Sequence, residues 1–211
     1  MKFQLRDYQQ NASNAAISHY KLKNGRNYLM VLPTGAGKSL IIADIAARLN
    51  EPLLVFQPNK EILEQNFAKL QTYGIFDAGC YSASVKRKDI NRITFATIGS
   101  VYNHMEDFKH FRYILIDECH LVNPTEGMYA DFFAAAERRI IGLTATPYRL
   151  CSTMNGSMLK FLTRTRPRDF FGRNLLLSGE RTACKRIPYQ TEVLRLDKNR
   201  TCESQKEFNW C

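Results

Sequence analysis

Short apolar runs alternate with stretches of helical period from the start of the chain to about residue 147. The runs are Tyr28 to Leu32, Leu53 to Gln57, Ile93 to Thr97, Tyr113 to Asp117 and Ile140 to Leu143, and Val, Ile, Leu, Phe and Tyr dominate them. Continuous runs of that length suit strands covered on both faces, as in a parallel sheet with crossover helices. Between them, about 5–22, 38–50, 59–73, 98–106 and 126–138 carry the spacing of helices. The pattern predicts an α/β fold with a mostly parallel sheet between helices, over residues 1–150.

After Arg149 the character changes. TRTRPRDFFGRN, SGERTACKRIPYQTE and RLDKNRTCESQKEFNWC show no sustained period of 2 or 3.6, so 151–211 reads as linker and irregular tail, with a boundary near 150–170. No internal repeat is present. At 211 residues and 45% hydrophobic content the chain can bury a full core. No apolar run approaches the roughly 18 residues that span a membrane, and MKFQLRDYQQ lacks a signal-peptide stretch, so a cytoplasmic protein without a membrane is expected.

Composition changes this picture little. The six cysteines show no CxxC spacing and no Cys/His cluster, and read as reduced thiols. The net charge of +10 divides into +4 for residues 1–150 (18 basic, 14 acidic) and +6 for 151–211 (12 basic, 6 acidic), so the surplus sits in the tail. Charge alone therefore does not announce a nucleic-acid partner.

Chemistry concentrates where predicted strands end. The first strand runs into Pro33, Thr34, Gly35, Ala36, Gly37, Lys38 and Ser39, then the apolar helix LIIADIAARL. Glycines let backbone N–H groups curl around a phosphate, and the helix N-terminus adds partial positive charge. Lys38 would reach the β and γ phosphates of ATP and the Ser39 hydroxyl would ligate Mg²⁺, although Leu32 holds the place of the motif's first glycine. The fourth strand delivers Asp117, Glu118, Cys119 and His120. Asp117 would hold the metal and Glu118 would orient and deprotonate water, with His120 a further catalytic candidate. At the end of the last strand, Thr144 and Thr146 offer hydroxyls that can reach those carboxylates. Near the N-terminus Arg6 and Gln9 open a helix. The amide of Gln9 matches the donor and acceptor edge of adenine, or it is a solvated helix residue.

In this order the pieces resemble the motif series of superfamily-two, DExH-type helicases: LRDYQ as the Q motif, PTGAGKS as motif I, DECH as motif II and TATP as motif III. QPNKEILEQN looks like motif Ia and FATIGSVY like motif Ib. Within the family, LRDYQQ, VLPTGAGKSL and GLTATPYRL look most like RadD-like DNA-repair helicases. The resemblance implies a RecA-like P-loop NTPase lobe that uses ATP and Mg²⁺. It implies DNA as partner, single-stranded or forked, with RNA the alternative, and strand contacts at Gln57, Pro58, Asn59, Thr97 and Gly99. Lys86, Arg87 and Lys88 add a phosphate patch or, more simply, a solvated basic loop. His104 and His110 lack partners at metal spacing and are assigned no role, and Phe132 and Phe133 read as core.

The family works with a second RecA-like lobe whose arginines reach the γ-phosphate, and no such lobe is legible in this chain. Nucleotide binding with poor hydrolysis is expected, since an arginine finger is worth about 10³ to 10⁵ in rate. Competing expectations are a non-catalytic ATP-dependent binding module, an RNA helicase and a restriction-system motor. Read one base later, codons from Arg173 onward can encode a periodic string containing GYLT, which resembles the path to a second RadD-like lobe. The stretch from about 170 is therefore expected to be a frameshifted tail, disordered or poorly placed.

Overall fold

The computed structural model describes residues 4–22, 27–153, 156–165 and 168–170. The expected tail from 171 to 211, with its frameshift and disorder, lies outside the described residues. Helix α1 (Asp7–Tyr20) leads to β1 (Tyr28–Val31), α2 (Lys38–Arg48), β2 (Leu53–Phe56), α3 (Lys60–Thr72), β3 (Ala78–Ser82), β4 (Arg87–Lys88), β5 (Ile93–Ala96) and α4 (Ile98–Tyr102). There follow β6 (Tyr113–Ile116), α5 (Met128–Ala134), β7 (Arg139–Thr144), β8 (Tyr148–Thr153) and β9 (Gly156–Phe161).

Seven strands form one sheet in the order β1-β7-β6-β2-β5-β3-β4, and every pairing is parallel except β3 with β4. Successive residues alternate between two cores, as strand geometry requires. Leu53 and Val55, with Ile93, Phe95, Leu115, Ile141 and Leu143, face the core that Ile41, Ile42, Ile45 and Leu63 complete. Leu54 and Phe56, with Ile114 and Ile116, face Phe108, Phe111 and Phe132 on the other side. Two covered faces explain why the strands read as unbroken apolar runs. Among the described residues no helix is long and apolar enough to cross a membrane.

The structure adds elements that the pattern does not reveal. Strand β3 is rich in small residues where its backbone lies close to the β4–β5 connection: a Cβ at Gly79 would stand 2.4 Å from the Asp89 carbonyl oxygen. The expected helix 98–106 is split into α4 and a 3-10 turn at Met105–Phe108, and the expected helix 126–138 shortens to α5.

The stretch after Arg149 needs the largest correction. It contains an antiparallel hairpin, β8–β9, in which Tyr148 pairs with Phe161 and Leu150 with Leu159. Those four side chains are exposed, whereas their neighbours Arg149 and Lys160 turn inward to Asp169. Leu162 and Phe170 join the second core, so packing runs beyond residue 150 to at least Phe170. Alternation is present in YRLCST, but its apolar face is the exposed one, which hides it from a pattern that expects burial.

Candidate functional site

All the chemistry-bearing turns follow the C-terminal ends of adjacent parallel strands β1, β7, β6, β2 and β5, the edge where ligands bind in open α/β sheets. After β1, Pro33 to Ser39 turn into α2 with Gly35 at φ +80° and Gly37 at φ +76°. Those left-handed values favour glycine. Thr34 and Gly35 are exposed at the tip and Ala36 is buried beneath it.

Beneath the loop, Gln9 Nε2 donates to the Ala36 carbonyl at 2.9 Å, and Gln9 Oε1 accepts from the Arg6 N–H at 3.0 Å. The Tyr8 hydroxyl donates to the same carbonyl at 3.2 Å. The structure thus spends the Gln9 donor on the loop and its acceptor on the Arg6 N–H, while the Arg6 side chain stays exposed. A Cβ at Gly37 would meet Gln9 Nε2 at 2.5 Å, so any side chain there would displace the Gln9 amide from the loop.

Lys38 bridges the loop to the DECH turn. Its ammonium contacts Glu118 Oε1 and lies 4.0 Å from Asp117 Oδ1. Glu118 is one of two non-glycine residues with positive φ among those described, at +48°. Strain of that kind costs on the order of 1–3 kcal/mol and persists where surrounding structure imposes it. Here the turn presents Asp117 and Glu118 together to Lys38. Burial, opposed by Lys38 and reinforced by Glu118, holds the Asp117 carboxyl above the usual carboxylate range. Burial, with the Glu118 and Asp117 charges, raises the Cys119 thiol well above its ordinary value, which removes it as a nucleophile at neutral pH.

The sequence-predicted link to Thr144 runs through His120. Its Nδ1 lies 2.9 Å from Thr144 Oγ1 and 3.3 Å from Glu118 Oε2. Thr144 Oγ1 donates to the Thr146 carbonyl at 3.1 Å and accepts from the Thr146 N–H at 3.0 Å. The direction of the His120–Thr144 bond follows the imidazole tautomer: Nδ1 donates when the Thr144 hydroxyl proton goes to the Thr146 carbonyl. Lys38, Asp117, Glu118, His120, Thr144 and Thr146 thus form one connected group.

One functional side chain escaped the sequence. Asn66, on the buried face of α3 with Leu63 and Leu70, accepts from the Ser39 hydroxyl at 2.7 Å and donates to Asp117 Oδ2 at 3.3 Å. Its only signal is a polar residue at the helical spacing of apolar ones. Ser39 and Asp117, the two expected magnesium ligands, meet on this amide. They suit that ion, which takes one or two protein oxygens beside phosphates and water. Asp117 also carries a buried charge that a cation would relieve. Among the described residues no cluster of three or more His, Cys, Asp or Glu forms an all-protein cage.

Of the residues expected to meet a strand, Pro58, Asn59, Thr97 and Gly99 share a rim beyond the neighbouring strands β2 and β5. Asn59 caps α3 by accepting from the Ile62 N–H at 2.9 Å, Thr97 joins the hydroxyls of Ser82 and Ser100, and Gly99 is open to solvent. Gln57 departs from them: at 1% exposure its Oε1 accepts from Asn66 at 3.1 Å, so it faces the magnesium-site residues and no strand. Arg87 pairs with Asp89 at 2.6 Å and lies over the Phe67 ring. Phe132 is core, as expected, and Phe133 packs against that core partly buried.

The family described as "Type III restriction enzyme, res subunit" matches residues 2–149. A DNA 3'-5' translocase XPB2 from Sulfurisphaera tokodaii is 34% identical over 151 residues, covering 70% of this chain and 32% of the relative. A putative ATP-dependent RNA helicase from African swine fever virus is 34% identical over 153 residues, covering 69% and 30%. Among solved structures, the UvsW helicase of bacteriophage T4 superposes with a TM-score of 0.57 at 20% identity, over 69% of this chain and 54% of that one. The Sulfolobus solfataricus SWI2/SNF2 ATPase core in complex with dsDNA does so at 0.53 and 20%, over 70% and 33%. This chain spans about a third of the length of the curated relatives.

Proposed function

This chain belongs to the type III restriction enzyme res-subunit family, as the N-terminal lobe of a superfamily-two helicase, and we propose that the lobe binds ATP with Mg²⁺ and drives translocation on DNA together with a second RecA-like lobe. The observation that carries this is the contact of Lys38 with Glu118 across the loop and the DECH turn, with Ser39 and Asp117 joined beside it through Asn66. Lys38 would meet the β and γ phosphates, Ser39 and Asp117 would hold the metal, and Glu118 would act on water once Lys38 leaves it for phosphate. The metal supplies neutralisation of phosphate charge. His120, Thr144 and Thr146 carry the phosphate state toward the rim at Pro58, Asn59, Thr97 and Gly99, where a strand would lie.

Lys38→Ala should abolish binding of a fluorescent ATP analogue, whereas Glu118→Gln should leave binding largely intact because Glu118 acts in the chemical step. Wild-type-like nucleotide binding by Lys38→Ala would sink this assignment. Hydrolysis by the lobe alone should be slow, because an arginine finger from the second lobe is worth about 10³ to 10⁵ in rate.

RNA is the second reading, favoured by the name of the viral relative. Fluorescence anisotropy with matched DNA and RNA oligonucleotides separates the two, and tighter RNA binding would overturn the DNA assignment. A cytoplasmic DNA-repair setting rests on the RadD-like likeness of LRDYQQ and GLTATPYRL. For the stretch from about 171 we hold to an out-of-frame origin, supported by its aperiodicity and the alternate decoding. Sequencing of the locus tests it: absence of helicase motifs in the alternate frame downstream removes the idea.

A further inference from the structure

Asn66 ties together residues of three different segments, and none of its partners lies on its own helix. Its Oδ1 accepts from Ser39, and its Nδ2 is shared between Asp117 Oδ2 and Gln57 Oε1. The orientation of the amide is fixed by Asp117, since the reverse rotation would set a carbonyl oxygen against a carboxylate. Behind it, Gln57 is buried and its Nε2 has no hydrogen-bond partner among the described residues. An unsatisfied buried donor costs on the order of 1–3 kcal/mol, so the pair is held at an expense that packing alone does not explain.

We propose that Asn66, backed by Gln57, is a positioning residue for hydrated magnesium, resting on the assignment of this lobe as an ATP site. Without the ion, Asn66 keeps the Ser39 hydroxyl and the Asp117 carboxylate aimed at each other. Magnesium retains much of its hydration shell and binds few protein oxygens directly, so its site needs nearby acceptors for the shell's protons. Ser39 releases Asn66 Oδ1 as its hydroxyl turns to the ion, and that oxygen becomes such an acceptor. Asn66 Nδ2 continues to orient Asp117. Because Gln57 and Asn59 flank Pro58, metal loading is also felt at the start of the rim.

The test is a titration of the full chain with Mg²⁺ in the presence of a fluorescent ATP analogue, paired with a measurement in EDTA and a thermal melt. Partners one step removed from a metal typically change its affinity by 10–100-fold, so Asn66→Ala should raise the half-saturating Mg²⁺ concentration by about that factor. Its nucleotide affinity should fall less in EDTA than in Mg²⁺. Gln57→Met, close in volume, should shift the Mg²⁺ requirement in the same direction by roughly threefold or more, and keeps the test open if Asn66→Ala melts early. An unchanged Mg²⁺ requirement in both variants, or an equal loss with and without Mg²⁺, overturns the proposal. Failure of the wild-type chain to bind nucleotide in either condition overturns the ATP assignment beneath it.

Discussion

Two ionic clusters sit in this lobe with opposite imbalances. At the loop edge one lysine, Lys38, faces two carboxylates, Asp117 and Glu118. Beside the hairpin one carboxylate, Asp169, faces two cations, with Lys160 at 2.6 Å and Arg149 Nε at 3.1 Å. The second cluster is closed. Asp169 is fully buried, and each terminal nitrogen of the Arg149 guanidinium donates once, to the Val122 carbonyl and to Asn123 Oδ1, both at 3.1 Å. The first is open and short of positive charge, and its Asp117 is pushed up in pKa. An unbalanced cluster that is fully enclosed pins chain segments together, whereas one that opens beside exposed Thr34 and Gly35 is poised for a charge that arrives from solution.

The largest expected effect lies in the closed cluster. Asp169→Ala leaves two buried cations without their anion, and losing one partner of a buried pair costs about 3–5 kcal/mol. Urea unfolding should show that drop, while a loss below about 1 kcal/mol would mean that the cluster is not structural. Gly142→Ala tests whether the two regions are independent. On β7 a Cβ would stand 2.6 Å from Cys119 Sγ and 3.0 Å from Phe170, between the DECH turn and the segment that carries Asp169. Overpacking of this kind costs about 1–3 kcal/mol and should weaken ATP-analogue binding as well as stability. If nucleotide affinity is untouched, the two clusters are separate.

Asp117→Asn should act in the other direction. The fold raises the Asp117 pKa, so this group adds stability only below the ordinary carboxylate range and loses it as pH rises through the raised value. At neutral pH its ionised form is a net cost, so the neutral isostere should gain stability while losing Mg²⁺-dependent binding. Melting curves at pH 7 and pH 4 check the sign, because the gain should shrink at the lower pH. The smallest effect is expected at the hairpin surface, where Leu150 is 73% exposed. Leu150→Lys should change stability by less than about 0.5 kcal/mol, and a larger loss would show that this face is covered in solution.

Legibility in the sequence followed the same divide. Lys38, Ser39, Asp117 and Glu118 were readable because their chemistry is written contiguously, directly after an apolar run that predicts a strand. Asn66 was not, because its partners Ser39 and Asp117 stand 27 and 51 residues away, and α3 reads as an ordinary amphipathic helix. Gln57 was taken for a strand contact because it heads QPN; its burial and its bond to Asn66 could not be read from that motif. Five of the sheet strands announced themselves through burial on both faces. β3 hid in small residues that a close backbone approach requires, and β8 and β9 in a face that alternates toward solvent.

The order of the sheet bears on how the chain acquires its shape during synthesis. The strand that launches the phosphate loop, β1, has β7 as its one sheet neighbour among the described residues, with Tyr28 opposite Ile141. A ribosome adding roughly 5–20 residues per second needs on the order of ten seconds to deliver β7 after β1 has emerged. Throughout that interval Leu29, Met30 and Val31 lack the hydrogen-bonded ladder that later buries them, while β2, β5 and β6 can already assemble. The nascent lobe therefore completes its interior first and its nucleotide edge last. Holdase chaperones that shield apolar segments have their longest opportunity at β1.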